Sequence, residues 1–305
     1  MPERKSLRVD GPAARGGGDR HLSYWEWTNQ AGNDDPHVVI CVHGLSRQGR
    51  DFDVLAQALS RHARVLAVDV AGRGESDWLA DAMAYQLGTY VADMGALVAQ
   101  VRQESPSAVL DWVGTSMGGM IGMAMAAQPA VGLRRLVLND VGPTIQWAAL
   151  QRIAAYLGQN PGFSSEAEAF DYLASISQGF GPHTAEQWRA LSQPMLRQRD
   201  GRWWLHYDPA IALPVKALVQ ASDQTAAQQM VRDGEAAMWG VYEAITARTL
   251  LLRGADSDLL TRETAARMAQ CGPQARCVEF AGVGHAPTLV APDQVEAVCE
   301  FLWAD

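Results

Sequence analysis

Short runs of uninterrupted apolar residues alternate along this chain with longer stretches whose apolar positions recur every three or four residues. The first pattern suits a strand buried on both faces of a sheet, and the second suits a helix with one buried face. Residues 38–42, 64–70, 107–113, 133–140, 249–253 and 276–280 show the first pattern. Residues 21–28 alternate with aromatic and β-branched positions and predict a further strand. Helical spacing fills the gaps. Phe52, Leu55, Ala56 and Leu59 share a face over 51–62, and Leu87, Val91, Met94, Leu97, Val98 and Val101 share one over 85–103. Further helices are predicted over 120–127, 234–245, 262–270 and 292–303. Strands taking turns with helices at a regular beat predict βαβ units and a mainly parallel sheet, the α/β class.

The beat breaks once. From 144 to 231 the chain is helical and loop-like, without a buried-strand run, and carries Trp147, Trp188, Trp203 and Trp204. Because the flanking pattern resumes intact, this stretch is expected to be a subdomain grafted onto the loop side of the sheet. Residues 1–20, rich in Arg and Gly, offer little to bury and are expected to form a loose arm. The predicted organisation is an arm at 1–20, a core from 21–143 and 233–305, and a helical cap at 144–232. Trp147, just past the cap entrance, is a candidate for lining a substrate pocket, with helix packing as the alternative.

Composition narrows the partners. The 305 residues are 48% hydrophobic, enough for a large core, and the formal charge is −9 without a long basic run. Nucleic acid and anionic membrane surfaces are therefore not expected as partners. The N-terminal residues are charged and lack the apolar segment of a secretory signal, and no stretch approaches the roughly 18 apolar residues of a membrane span. Cys41, Cys271, Cys277 and Cys299 show neither a disulfide framework nor zinc spacing. A cytoplasmic location is expected, with no metal or organic cofactor required; self-association is left open.

The chemistry gathers around Gly114-Thr115-Ser116-Met117-Gly118, which follows one strand and opens a helix. This is the G-x-S-x-G pattern of a serine held on a sharp strand-to-helix turn, where Gly114 and Gly118 leave room for the backbone. Such a turn presents the Ser116 hydroxyl beside the positive end of a helix, where developing negative charge is favoured. A serine hydroxyl becomes a nucleophile only when an imidazole takes its proton and a carboxylate holds that imidazole. Among 7 histidines, His285 is the one in a Gly-flanked loop just past a strand. Asp256 and Asp258 follow the preceding strand, and Asp140 ends an earlier one. For the oxyanion, the Met117 amide is one donor and the Leu45 amide, in the loop after 38–42, is the second. The His43 side chain is expected to brace that loop. Arg47 and Arg50 are expected to be a solvated helix start, with a substrate carboxylate partner as the alternative.

Taken together, His43-Gly44, Gly72-Arg73-Gly74-Glu75-Ser76, Gly114–Gly119, Asp258 and Gly284-His285 resemble the α/β-hydrolase superfamily from about residue 21 onward. The resemblance implies an eight-stranded, mostly parallel sheet with a helical cap after the sixth strand. It favours Asp258 over Asp256 as the acid, since Asp-Leu-Leu-Thr-Arg leads into a helix as the family's loop does; Asp140 is the third candidate. A serine at the nucleophile position sets aside the branches that need a carboxylate there. The expected activity is hydrolysis of a small or medium carboxylic ester by Ser116, His285 and Asp258. A lactonase or a C–C bond hydrolase would use the same machinery, as would an acyltransferase or perhydrolase. A ligand receptor of this fold with little turnover is the reading from another class.

Overall fold

The computed structural model describes residues 2–10, 18–32 and 36–304. Its strands are β1 (Glu3–Val9), β2 (Arg20–Trp27), β3 (His37–Val42), β4 (Arg64–Asp69), β5 (Val109–Thr115), β6 (Leu133–Asn139), β7 (Leu196–Arg199), β8 (Arg202–Leu205), β9 (Arg248–Gly254) and β10 (Arg276–Phe280). Eight of them form one sheet in the order β1-β2-β4-β3-β5-β6-β9-β10. β1 and β2 pair antiparallel, as do β2 and β4. Every other pairing in this sheet is parallel.

Side-chain alternation gives the sheet two buried faces. Val38, Ile40 and Val42 of β3 pack with α2 (Leu87–Glu104) and α3 (Met117–Ala126), while Val39 and Cys41 pack with α1 (Asp53–Leu59) and α10 (Pro292–Trp303). Each such side chain, fully buried, contributes roughly 1.5–3 kcal/mol. Leu55 and Leu59 place α1, which follows β3, on one face; Ile121 and Met123 place α3, which follows β5, on the other. β3 and β5 are neighbours, so their chains leave the sheet in opposite directions and open a crevice at their C-terminal ends.

The sheet reaches eight strands through the segment expected to be a loose arm. Glu3–Val9 is an edge strand in register with β2, Leu7 opposite Leu22. Its pattern is too polar to announce a strand, because an edge strand buries little. Arg4 pairs with Glu75 and Lys5 with Glu26, and such charges protect the edge from further pairing. Residues 11–17 of the expected arm lie outside the described residues.

Between β6 and β9 the chain forms α4 (Trp147–Tyr156), α5 (Glu166–Ile176), α6 (Ala185–Ser192), α7 (Leu213–Val219) and α8 (Gln224–Glu243). It also forms a hairpin of β7 and β8 that the helical reading of this stretch omits. Asp200 and Gly201 join its strands with φ of 52° and 72°, the left-handed pair a two-residue hairpin loop requires. The boundary drawn at 232/233 falls inside α8, a continuous helix capped by Asp223, whose carboxylate accepts from the Ala226 amide. Its N-terminal half buries only Ala227, so the apolar pattern starts late. α9 (Arg262–Met268) follows β9. No helix among the described residues is long and apolar enough to cross a membrane.

Candidate active site

Ser116 sits between β5 and α3 with φ 51° and ψ −115°, a conformation that costs roughly 1–3 kcal/mol and needs support from its surroundings. That support is local. The Ser116 amide donates to Asn139 O at 2.9 Å, and the Gly118 amide donates to His43 O at 3.1 Å. A Cβ on Gly118 would stand 1.9 Å from Val42 O, and one on Gly114 would stand 2.3 Å from Gly118 O. The two glycines are thus required by the closeness of β3, β5 and α3.

His285 meets the serine from the loop after β10. Its Nε2 lies 2.9 Å from Ser116 Oγ, and its Nδ1 lies 2.6 Å from Asp140 Oδ2. A carboxylate only accepts, so Nδ1 carries the proton and Nε2 is left to accept from the hydroxyl. Asp140 is fully buried at the end of β6. Its Oδ1 accepts from the Gly254 amide at 2.9 Å and its Oδ2 also accepts from Ser257 Oγ at 2.6 Å.

The expectation of Asp258 against His285 is therefore corrected: the carboxylate there is Asp140. In the loop after β9 Ser257 is buried and faces Asp140, while its neighbours Asp256 and Asp258 are exposed. Asp258 instead makes a two-pronged ion pair with Arg152 of α4, both side chains about half exposed. The signal for Asp140 lay in its place at the end of the strand beside β5, with a left-handed φ of 56° that Asp tolerates.

Leu45 and Met117, the expected oxyanion donors, both line the cavity above Ser116. Two buried side chains brace the loops around them. Arg73, fully buried, donates from Nε to Leu45 O at 2.8 Å, from Nη1 to Ala71 O at 2.7 Å and to the Tyr90 hydroxyl at 2.9 Å. His43 donates from Nδ1 to Gly44 O at 2.7 Å and accepts the Val70 amide at Nε2, 3.0 Å away. Burial pushes the His43 pKa down to about 3, so it stays neutral and braces the loop.

The cavity has a volume of about 310 Å³. Trp147 is not among its lining residues: it stands at the first position of α4, and the cavity meets that helix from Leu150 onward. The other cap tryptophans named from the sequence do not line it either; Tyr156, Tyr172, Tyr207 and Phe180 do. Of the two candidate arginines, Arg47 lines the cavity, whereas Arg50 pairs with Asp53 and stacks 4.6 Å over the Trp25 ring. The cap also touches the His285 loop, where the Gly284 amide donates to Gly179 O at 2.7 Å.

The sequence matches the alpha/beta hydrolase family profile over residues 39–298. The chain belongs to that family. A crystal structure of an alpha/beta hydrolase from Novosphingobium aromaticivorans superposes with a TM-score of 0.81 at 32% identity, covering 99% of each chain. The 3-hydroxybutyrate-oligomer hydrolase of Cupriavidus necator is 45% identical over 288 residues, 93% of each protein. The 2-hydroxy-6-oxo-2,4-heptadienoate hydrolase of Pseudomonas putida is 25% identical over 252 residues, 81% of this chain and 82% of that one. This alpha/beta hydrolase is an enzyme, and its chemistry is hydrolysis.

Proposed function

We propose that this protein cleaves short oligomeric esters of 3-hydroxybutyrate type through an acyl-enzyme on Ser116. The observation that carries the reading is the unbroken chain of hydrogen bonds from Ser116 Oγ through His285 to Asp140 at the cavity wall. In this reading His285 Nε2 removes the hydroxyl proton as Ser116 attacks the ester carbonyl, and Asp140 stabilises the imidazolium. The Leu45 and Met117 amides receive the oxyanion. The imidazolium then protonates the departing alkoxide, and water, deprotonated by the same imidazole, releases the acid.

The substrate class is supported by the relative from Cupriavidus necator, similar over nearly its whole length. It is supported also by the cavity: 310 Å³ lies at the small end of ligand pockets, roughly 300–1,000 Å³, which suits a short chain. Four unpaired cysteines accord with a cytoplasmic setting.

The test is release of 3-hydroxybutyrate from its dimer and trimer by wild type and by Ser116→Ala. Rapid release that the substitution abolishes is expected. Full turnover by Ser116→Ala would end the acyl-enzyme reading. Cleavage of dienone acids with no cleavage of the oligomers would move the C–C bond hydrolase reading, which the Pseudomonas putida relative favours, ahead of it.

A further inference from the structure

The formal charge of this chain is −9, yet the lining of its cavity includes two arginines and neither an aspartate nor a glutamate. The two are held differently. Arg152 is about half exposed and engaged with Asp258 at the cap surface. Arg47 belongs to the loop that carries Leu45, and only 11% of its side chain is exposed.

Arg47 is locked along one edge of its guanidinium. Its Nε donates to Asp51 Oδ2 at 2.8 Å, and its Nη2 donates to Asp51 Oδ1 at 2.6 Å and to Leu191 O of the cap at 2.9 Å. The group lies 5.6 Å from the centre of the Phe180 ring, which also lines the cavity. The remaining nitrogen, Nη1, has no hydrogen-bond partner among the described residues. The foot of the side chain stands near the nucleophile: a Cβ on Gly44 would sit 3.7 Å from Ser116 Cβ and 3.9 Å from Arg47 Cγ. An immobilised cation with an unused pair of N–H groups loses little freedom on binding, and in an apolar pocket its bond to a carboxylate is strong.

We propose that Arg47 Nη1 receives the terminal carboxylate of the substrate, so that the enzyme cuts the ester nearest that carboxylate. This rests on the ester-hydrolase reading above. In a chain of 3-hydroxybutyrate units, two carbons separate the last ester oxygen from the terminal carboxylate carbon. A cation beside the oxyanion loop suits that short span. The bond that breaks joins the acyl carbon to the last ester oxygen. The acyl group passes to Ser116 Oγ, the proton held by His285 passes to the departing oxygen, and one free hydroxyacid leaves per turnover. Arg47 is a binding and specificity residue in this scheme, and Asp51 its positioning partner.

The experiment compares kcat/KM for the 3-hydroxybutyrate dimer and for the methyl ester of that dimer, on wild type, Arg47→Met and Arg152→Met. Wild type is expected to favour the free acid by about tenfold or more. In Arg47→Met that ratio collapses toward one, and in Arg152→Met it persists. Cleavage of the methyl ester as fast as the acid by wild type overturns the proposal while leaving the ester-hydrolase reading in place, as does collapse of the ratio in Arg152→Met alone. Cleavage of neither compound by wild type overturns both. Should Arg47→Met fail to fold, two other measurements decide between the outcomes. Arg47→Lys, with a single ammonium in place of the fork, lowers the ratio, and butyrate but not butyramide inhibits wild type competitively; failure of either result overturns the proposal.

Discussion

Ser257 Oγ stands 2.6 Å from Asp140 Oδ2, the same oxygen that accepts from His285 Nδ1. The loop expected to deliver the carboxylate thus delivers a hydroxyl that positions a carboxylate from elsewhere. Ser257 also accepts from the Leu259 and Leu260 amides, so it ties the loop after β9 to Asp140. Ser257→Ala is expected to lower kcat about tenfold with KM little changed, the effect of one charge-assisted hydrogen bond. Steady-state kinetics on a short ester checks it, and an unchanged kcat counts against a positioning role.

Asp140 and Asp258 can be separated directly. Asp140→Asn removes the acceptor that holds the His285 tautomer and is expected to lower kcat by about 10³–10⁴-fold. Asp258→Asn breaks an exposed pair with Arg152, of a kind worth about 0–1 kcal/mol, and is expected to leave kcat within about twofold. The reverse ranking would restore the loop carboxylate as the acid.

Gly118→Ala places a methyl group 1.9 Å from Val42 O, against backbone of the central strand that has no room to retreat. Overpacking of this kind costs typically about 1–3 kcal/mol. A clear drop in Tm is expected, together with loss of activity, because the same shift displaces the Ser116 turn. A variant that melts with wild type would show that β3 can yield here.

Arg73 is a buried cation whose donors go to Leu45 O, Ala71 O and Tyr90 rather than to a carboxylate. Arg73→Met leaves these acceptors unpaired, at about 1–3 kcal/mol for each that water does not reach. Lower Tm and a lower kcat on neutral esters are expected together, since in the proposed mechanism the Leu45 amide receives the oxyanion. Loss of Tm with kcat preserved would limit Arg73 to a structural role.

His43 gives stability a pH dependence. Its pKa in the folded protein, about 3, lies below the ordinary 6.5, so the unfolded chain binds a proton that the folded one excludes. Its contribution is complete above about pH 6.5 and is lost as pH falls toward 3, by up to about 1.4 kcal/mol per pH unit. Asp69, raised to about 6 by burial, acts in the opposite direction between its ordinary 3.8 and 6. Comparing denaturant unfolding of wild type and His43→Gln across this range cancels the Asp69 effect. Wild type should lose stability more steeply below pH 6.5, and parallel curves would contradict the assignment.

The parallel core was legible because its inner strands β3, β4, β5, β6 and β9 are buried on both faces and its helices on one, and both burial patterns are written in local sequence. Ser116 and His285 were legible for a related reason: a nucleophile turn demands Gly114 and Gly118 at fixed offsets, and His285 sits in a loop flanked by glycine. β1 was not legible, because an edge strand buries only Val9 and leaves no apolar pattern. The β7–β8 hairpin left one local sign, Asp200-Gly201, because each of its strands is only 4 residues long and shows no sustained alternation. Which carboxylate meets His285 was decided by tertiary structure alone. Asp140, Asp256 and Asp258 all end strands or follow them, and no spacing tells which carboxylate turns inward. That depends on Ser257 packing toward the sheet, which sends Asp258 out to Arg152. The cavity is of the same kind: tyrosines rather than tryptophans line it, and Arg47 faces it while Arg50 does not. Those choices follow from how the segment between β6 and β9 seats on the sheet, through contacts between residues far apart in the chain.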